Sequence, residues 1–206
     1  MGREDCRKTV EGADCVLILG AFMSDINLGV YTAHLDVSNT INATSERISI
    51  KRHHYEDLLL RDFIEGLANP RKVKLPRRRS PRRKPAAPKP FEVKPKKAVT
   101  VKRFFDRMDE FIDEDNVVIC DIGDSLFGAS DLLIHRRTEF LSPAYYTSMG
   151  FAVPAAIGAQ VGKMKLRPIV FVGDGAFQMT GNEVVTIAKR SLNPIIFVLN
   201  NKGYTT

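Results

Sequence analysis

The sequence has no run of about 18 apolar residues, the length that a membrane-spanning helix needs. Its first residues, Met-Gly-Arg-Glu-Asp, also lack the apolar stretch of a signal peptide. We therefore expect a cytoplasmic location and no membrane partner. With 206 residues and 44% hydrophobic content, the chain is nevertheless large and apolar enough to form a packed core in one or two domains.

Cysteine is also scarce. The three cysteines, Cys6, Cys15 and Cys120, are far apart, with no CxxC pair and no nearby His that would complete a zinc site. We therefore expect buried or chemically idle thiols.

Acidic residues are almost absent from residues 71–97, which contain thirteen Lys or Arg and the single acid Glu92. This local charge of +12 exceeds the total of +7, so the rest of the chain is mildly acidic, at about −5. Repeated prolines and self-repelling charge favour an extended linker over a packed element. We predict a basic, Pro-rich linker over 71–99 between domains at 1–70 and 100–206. A nucleic-acid-binding module is an alternative, but Phe91 is the only aromatic residue among the basic runs, so we do not expect a nucleic-acid partner.

The N-terminal domain has the pattern of an α/β fragment. Residues 15–19 form a short apolar run that ends at Gly20, as expected of a buried strand. Alternating apolar residues predict a second strand over 46–51, and helical spacing predicts a helix over 55–67 that ends at Asn69-Pro70.

The C-terminal domain alternates helices and strands along the sequence. Three helices are predicted. The first covers 101–112, the second follows the N-cap candidate Ser142-Pro143, and the third begins at the capping-box pattern Thr180-x-x-Glu183. Strands are predicted over 116–120, 168–172 and 194–199. This alternation predicts an α/β fold with a parallel sheet and helices on both faces.

Three loops, at 121–125, 173–176 and 200–203, leave strands at the edge where open α/β sheets bind ligands. Taken by itself, Gly173-Asp174-Gly175 favours a plain turn after a strand. However, Asp174 and Asn201 are 27 positions apart, which leaves room for one helix and one strand, so their oxygens can converge. A carboxylate and an amide oxygen suit a hard divalent cation that also binds phosphate oxygens. We therefore predict a magnesium-bound diphosphate.

The two loops also carry a resemblance to a known family. Gly173-Asp174-Gly175, 24 intervening residues and Asn200-Asn201 resemble the thiamine diphosphate motif. The pyruvate and indolepyruvate decarboxylase branch of that family has a similar sequence around this motif, which here is GDGAFQMTGNEVVTIAKRSLNPIIFVLNNKGYT. Two earlier segments resemble the second half of the central domain in that branch: INLGVYTAHLD and ISIKRHHYEDLLLRDFIEGL. The resemblance covers about 13–69 and 100–206. It implies a partial thiamine diphosphate-binding fold preceded by a partial, Rossmann-like central domain.

The resemblance implies a set of site residues. The side chains of Asp174 and Asn201 and the backbone carbonyl of Gly203 would bind Mg²⁺. Met149 would be the wedge that bends the cofactor, although ordinary core packing would also suit it; the Thr147 carbonyl would accept a hydrogen bond from the cofactor's amino group. The other residues implied to contact or line the cofactor are Gly123, Asp124, Ser125, Gly173, Gly175 and Ala176. Ile122 stands where the family usually has Thr, and Ala176 where some relatives have Ser, so this chain lacks two hydroxyl groups at the implied site.

The resemblance further implies non-oxidative decarboxylation of a 2-oxo acid to an aldehyde. An acetolactate-synthase-like carboligase is an alternative in the same cofactor class. An NAD-binding domain is less favoured because GDGAFQ lacks the third glycine of GxGxxG.

No catalytic residue is expected in this chain, because the family's catalytic glutamate and histidine pair belong to a pyrimidine domain that has no counterpart here. The pair His53-His54 lies in the segment that resembles the central domain, and we assign it no catalytic role. We expect the chain alone to be inactive, and to act as a homo-oligomer or with a complementing pyrimidine-domain chain.

Overall fold

The computed structural model describes residues 4–69, 71, 73, 90–134 and 139–204. Contacts divide the chain into two compact units, Met1–Ala86 and Ala87–Thr206, and each has its own four-stranded sheet. Most of the predicted linker at 71–99 lies outside the described residues. None of the described helices has the length and apolarity to cross a bilayer.

The first unit is built on a mixed sheet in the order β1-β2-β3-β4. The β1–β2 pair is parallel, whereas β2–β3 and β3–β4 are antiparallel. The four strands are β1 Val16–Leu19, β2 Thr40–Ala43, β3 Arg47–Ile50 and β4 His53–Glu56. The helices of this unit are α1 Glu4–Glu11 and α2 Leu60–Ala68.

Sequence patterns missed β2 and β4, and the predicted start of the helix at residue 55 was wrong. Tyr55 lies in β4, where it pairs with Ile48 across an antiparallel hairpin. Asp57 then has a positive φ of 58°, so the chain turns before α2 can begin at Leu60. Cross-strand pairing therefore overrides the helical spacing of the first residues in this segment.

The second unit contains a fully parallel sheet in the order β6-β5-β7-β8, which confirms the prediction. Its strands are β5 Asn116–Cys120, β6 Glu139–Leu141, β7 Arg167–Gly173 and β8 Ile195–Leu199. Its helices are α3 Val101–Phe111, α4 Asp124–Ala129, α5 Ala152–Gly162, α6 Asp174–Thr180 and α7 Val184–Lys189.

The two faces of this sheet are buried in two separate clusters. On one face, alternate residues of β5 and β7 pack with α3 and α4; these are Val118, Cys120, Ile169 and Phe171. On the other face, the intervening residues pack with α5 and α7; these are Val117, Ile119, Val170 and Val172. After their polar first residues, Asn116 and Arg167, both central strands therefore continue as apolar runs, as expected of a sheet covered on both sides.

Two predicted helix starts in the second unit were wrong. Ser142-Pro143 begins a turn in which the Thr147 N–H donates to the Pro143 carbonyl (2.7 Å), and α5 begins only at Ala152. The Thr180 hydroxyl does not cap a helix; instead it donates to the Gly150 carbonyl (2.9 Å). A helix that the capping box would start at residue 180 is thus replaced by α6, a short 3₁₀ turn and α7.

Candidate functional site

A cavity of about 500 Å³ is formed in the second unit where β5, β7 and β8 end. The three loops predicted from the sequence supply much of its lining: Ile122, Gly123, Asp124, Ser125, Gly173, Asp174, Gly175, Ala176, Asn200, Asn201 and Gly203. Apolar residues of α3 and β8 complete part of the wall; they include Val101, Phe104, Phe197 and Leu199. The cavity therefore has a polar portion at the loops and an apolar portion beside them.

Asp174 and Asn201 arrive at this cavity from neighbouring strands. Gly173, the last residue of β7, is paired with Leu199, the last residue of β8. Asp174 follows the first strand by one residue and Asn201 follows the second by two, and both line the cavity. Parallel pairing thus brings a carboxylate and a carboxamide to one edge of the sheet.

Backbone hydrogen bonds within each loop hold these side chains in place. Asp174 Oδ1 accepts from the Gly175 N–H (3.0 Å), and Asn201 Oδ1 accepts from the Gly203 N–H (3.3 Å). The preceding Asn200 likewise accepts from the Lys202 N–H through Oδ1 (2.9 Å). These local turns preorganise oxygen-bearing side chains at the ends of the strands.

Ser125 contributes a buried hydroxyl to the same cavity. It follows Gly123, whose positive φ of 72° directs the chain into α4. Ser125 is 1% exposed, and its Oγ has no hydrogen-bond partner in the part of the chain that the structure describes. A buried hydroxyl left without a partner costs about 1–3 kcal/mol, so this atom indicates a place for a polar ligand.

Met149 and Thr147 differ in their placement. Met149 lines the cavity and also packs against the core between the sheet and α5, so its side chain belongs to both the cavity wall and the core. Thr147 is not a lining residue; its hydroxyl donates to the Tyr146 carbonyl (2.7 Å) and its φ is +51°. Among the predicted site residues, Thr147 is the one that the structure does not bring to the cavity wall.

Sequence reasoning assigned no role to Asp121, a buried residue that holds backbone segments next to the cavity. Asp121 is fully buried at the end of β5, and its carboxylate accepts three backbone N–H groups. The available signal was an acidic residue directly after the fully buried strand Asn116–Cys120, because a carboxylate placed there must find donors. Tyr204, another lining residue, was missed as well.

In the part of the chain that the structure describes, His, Cys, Asp and Glu side chains form no cluster that resembles a metal centre. Within the described ranges, no group of three such residues lies close enough together to hold a metal ion. His54 pairs with Ser49 across the β3–β4 hairpin of the first unit, with Oγ and Nδ1 2.8 Å apart. A cation at the cavity would therefore depend on amide and carbonyl oxygens in addition to Asp174.

Comparison with known proteins identifies similar chains. Residues 114–206, which include all three loops, match the family described as thiamine pyrophosphate enzyme, C-terminal TPP binding domain. The chain is 31% identical to an indole-3-pyruvate decarboxylase of Azospirillum brasilense over 98% of this chain and 37% of that protein. It is 31% identical to a pyruvate decarboxylase of Hanseniaspora uvarum over 98% of this chain and 36% of that protein.

A probable pyruvate decarboxylase of Schizosaccharomyces pombe is 29% identical over 95% of this chain and 34% of its own length. The chain therefore spans about a third of the length of the curated relatives that it matches. These similarities extend through both units, whereas the family match is confined to the second.

Proposed function

This chain belongs to the thiamine diphosphate-dependent 2-oxo acid decarboxylase family, and on that premise we propose that its cavity binds thiamine diphosphate through a Mg²⁺ ion. The observation that carries the proposal is the arrival of Asp174 and Asn201 at one cavity from adjacent parallel strands. Their carboxylate and carboxamide oxygens are the hard donors that Mg²⁺ prefers. The backbone carbonyl of Gly203 would be the third ligand from the protein.

Two features of the cavity fit a diphosphate. The Ser125 hydroxyl is buried and without a partner in the described ranges, so it can donate to a phosphate oxygen at little further cost. Gly173 and Gly203 both line the cavity, and an added Cβ at either position would meet no atom within 4 Å. The absence of side chains there leaves room for a ligand to approach the backbone closely.

The polar and apolar portions of the cavity suit the two ends of this cofactor. Asp124 is an exposed lining residue of the first loop, and with Ser125, Gly173, Gly175 and Ala176 it would surround the diphosphate. Met149 would support the thiazolium ring from the side of α5, and we retain the Thr147 carbonyl as a proposed contact of the aminopyrimidine. When bound, thiamine diphosphate supplies the electron sink that lets a 2-oxo acid lose CO₂ and yield an aldehyde.

We further propose that this chain supplies only the diphosphate half of a decarboxylase site. The titratable side chains that line the cavity are Asp124, Asp174 and Tyr204, and the first two are assigned to holding the cofactor. Groups that act on the 2-oxo acid would then come from a second copy or from a chain with the remaining part of the relatives' length. The chain alone would bind the cofactor weakly and would not turn over substrate.

Calorimetric titration of the 206-residue chain with thiamine diphosphate, with and without Mg²⁺, tests the binding proposal. We expect binding only with Mg²⁺. At a thiamine diphosphate concentration a hundredfold above Kd, the free energy of unfolding should rise by about 2.7 kcal/mol. Asp174→Asn and Asn201→Ala should each weaken binding at least about tenfold, because each removes or weakens a hard ligand. NAD should give no comparable stabilisation.

Asp115→Asn is the matched control for Asp174→Asn. It makes the same change of charge at an exposed carboxylate that precedes β5, at the end of the sheet opposite the cavity. This variant should bind thiamine diphosphate like the unmodified chain. Equal binding without Mg²⁺, or unchanged binding in Asp174→Asn, would contradict the proposed metal-bridged site.

An activity assay separately tests whether the chain supplies only the diphosphate half of the site. The chain is mixed with Mg²⁺, thiamine diphosphate and a 2-oxo acid, and aldehyde and CO₂ are measured. We expect neither product above the background without protein. Turnover at the rate of an intact relative would show that the chain contains the whole active site.

A further inference from the structure

The Asp121 carboxylate connects the end of β5 to the start of α5. Its Oδ1 accepts from the N–H groups of Ile122 (3.1 Å) and Gly150 (3.2 Å), and its Oδ2 accepts from the Ala152 N–H (3.0 Å). Ala152 begins α5, and its N–H is one of those that a helix cannot satisfy internally. The residue before the helix, Phe151, provides no side-chain cap. A buried carboxylate from another element therefore takes the place of a local cap.

Gly150 is held from its other side as well. Its carbonyl accepts from the Thr180 hydroxyl (2.9 Å), and its φ is +85°. A Cβ at this position would lie 3.1 Å from Thr180 Cγ2 and 3.2 Å from Met179 Cβ. The peptide groups on both sides of Gly150 are thus attached to β5 and to α6, which leaves the backbone little freedom.

Met149 directly precedes this attachment point and lines the cavity. The direction of its side chain depends on the backbone that Asp121 and Thr180 hold. Strand pairing does not depend on the Asp121 side chain, because the backbone N–H of Asp121 donates to the Phe171 carbonyl (2.8 Å). Loss of the carboxylate should therefore affect the bend at 149–152 more than the sheet.

We propose that Asp121 is a positioning residue: by holding Gly150, it places Met149 in the cavity wall where the thiamine portion of the cofactor would lie. This role rests on the proposed function. It concerns the thiamine portion, because the Asp121 carboxylate bonds to the segment that carries Met149, whereas the proposed Mg²⁺ ligands Asp174, Asn201 and Gly203 lie on the other two loops. Asp124 and Ser125, which are assigned to the diphosphate, follow Asp121 on the same loop but belong to α4, which begins after Gly123. Loss of the carboxylate should therefore weaken binding of the thiamine portion more than binding of the diphosphate.

The first test uses the 206-residue chain without ligand. Methionine methyl groups are labelled with ¹³C, and Met149→Leu identifies one signal among those of the six methionines. In Asp121→Asn the side-chain amide faces backbone N–H groups that need an acceptor. We expect the Met149 methyl signal to shift and amide exchange at Gly150 to accelerate about tenfold or more, with the Met108 signal unchanged in the opposite core cluster.

The second test compares two ligands in the presence of Mg²⁺. Asp121→Asn should weaken thiamine diphosphate about tenfold and leave inorganic pyrophosphate within about twofold, because pyrophosphate lacks the portion that Met149 contacts. Asp109→Asn is the matched control, since Asp109 Oδ1 also accepts a backbone N–H, from Leu133 (2.7 Å), but is not a lining residue. This control should leave both affinities and the Met149 signal unchanged.

Thr180→Val provides a second variant with a milder change. It removes the bond to the Gly150 carbonyl and keeps a branched side chain in contact with Gly150. We expect a smaller shift of the same Met149 signal, and a less than additive effect in the double variant because both residues act on one peptide segment. If Asp121→Asn does not fold, this variant decides whether the segment is held as proposed.

Several results would overturn the proposal. An unmoved Met149 signal in Asp121→Asn, or in Thr180→Val where Asp121→Asn does not fold, would show that the backbone bonds do not place this side chain. Equal losses for thiamine diphosphate and pyrophosphate would assign Asp121 to the stability of the whole site. If the unmodified chain bound neither ligand, the proposed function would fail, whereas the methyl and amide measurements would still decide whether Asp121 places Met149.

Discussion

The ring of Tyr204 lies where a side chain at position 175 would have to be. A Cβ built on Gly175 would come within 2.6 Å of Tyr204 Cε1 and 3.0 Å of its Cδ1. Gly175 follows Asp174 in the loop at 173–176, and Tyr204 follows Gly203, the last residue of the loop at 200–203. The two loops that carry the proposed magnesium ligands are therefore in direct contact, and the contact requires glycine at position 175.

We expect Gly175→Ala to push Tyr204 and its loop away from α6. Because Tyr204 is 67% exposed, its ring can move into solvent, so the loss of unfolding free energy that chemical denaturation measures should be about 1 kcal/mol or less, below that of an overpacked core. Binding of thiamine diphosphate with Mg²⁺ should weaken as well, because Asn201 and Gly203 move with the displaced loop. Titration calorimetry on the same samples measures this second effect.

Gly158→Ala and a double variant serve as controls for this substitution. A Cβ at Gly158, in the interior of α5, would meet no atom within 4 Å, so alanine there should leave stability unchanged or raise it by up to about 1 kcal/mol. Tyr204→Ala combined with Gly175→Ala should recover most of the lost stability. No recovery in the double variant would mean that the ring is not the obstacle.

Ser125→Ala should have opposite effects on stability and on binding. Removing a buried hydroxyl that has no partner in the described ranges should stabilise the ligand-free chain by up to about 1 kcal/mol. Removing a donor to the proposed diphosphate should weaken Mg²⁺-dependent binding of thiamine diphosphate by about tenfold. Denaturant titration and calorimetry measure the two quantities separately.

Ser130→Ala, at the C-cap of the same helix, is the comparison for this prediction. The Ser130 hydroxyl donates to the Phe127 carbonyl (2.7 Å) and is remote from the cavity lining, so its loss should lower stability and leave binding unchanged. If Ser125→Ala destabilised the ligand-free chain as much as Ser130→Ala does, Ser125 would have an internal structural role.

The Cys120 thiol should make stability depend on pH in the alkaline range. Burial raises the pKa of this thiol well above its ordinary value, and the negative charge of Asp121 raises it further. In the unfolded chain the thiol ionises near pH 8.5, so above that pH the unfolded state loses a proton that the folded state keeps. The contribution of the Cys120 thiol to the free energy of unfolding is therefore fully present below about pH 8.5. Above that pH it declines by at most about 1.4 kcal/mol per pH unit.

Urea unfolding of the chain and of Cys120→Ala across this range measures the effect. The alanine variant removes the titrating thiol, so its stability should fall less steeply with pH than that of the unmodified chain. Identical slopes would show that Cys120 does not contribute. A thiol reagent gives independent evidence: the exposed Cys6 and Cys15 should react at once, and Cys120 only after unfolding.

The central strands of the second unit could be predicted because their signal is local. Within these strands, residues 117–120 and 168–172 are continuous apolar runs, and such runs are typical of strands covered on both faces. The errors arose where a contact with another segment decided the outcome. Thr180 matches a capping box in sequence, yet its hydroxyl bonds to Gly150, 30 residues away. Tyr55 fits a helical pattern, yet it pairs with Ile48 in a hairpin.

The sequence by itself determined which donor atoms stand at the strand ends, because strand periodicity and the spacing between Asp174 and Asn201 are properties of the chain alone. The family followed from the resemblance of its motifs. Only the tertiary structure decided how that edge is held. The carboxylate of Asp121 meets Gly150 across 29 positions, and the ring of Tyr204 meets Gly175 across the rest of α6, the 3₁₀ turn, α7 and β8. Such contacts depend on which distant backbone groups come together in the folded core, and no local pattern encodes that choice.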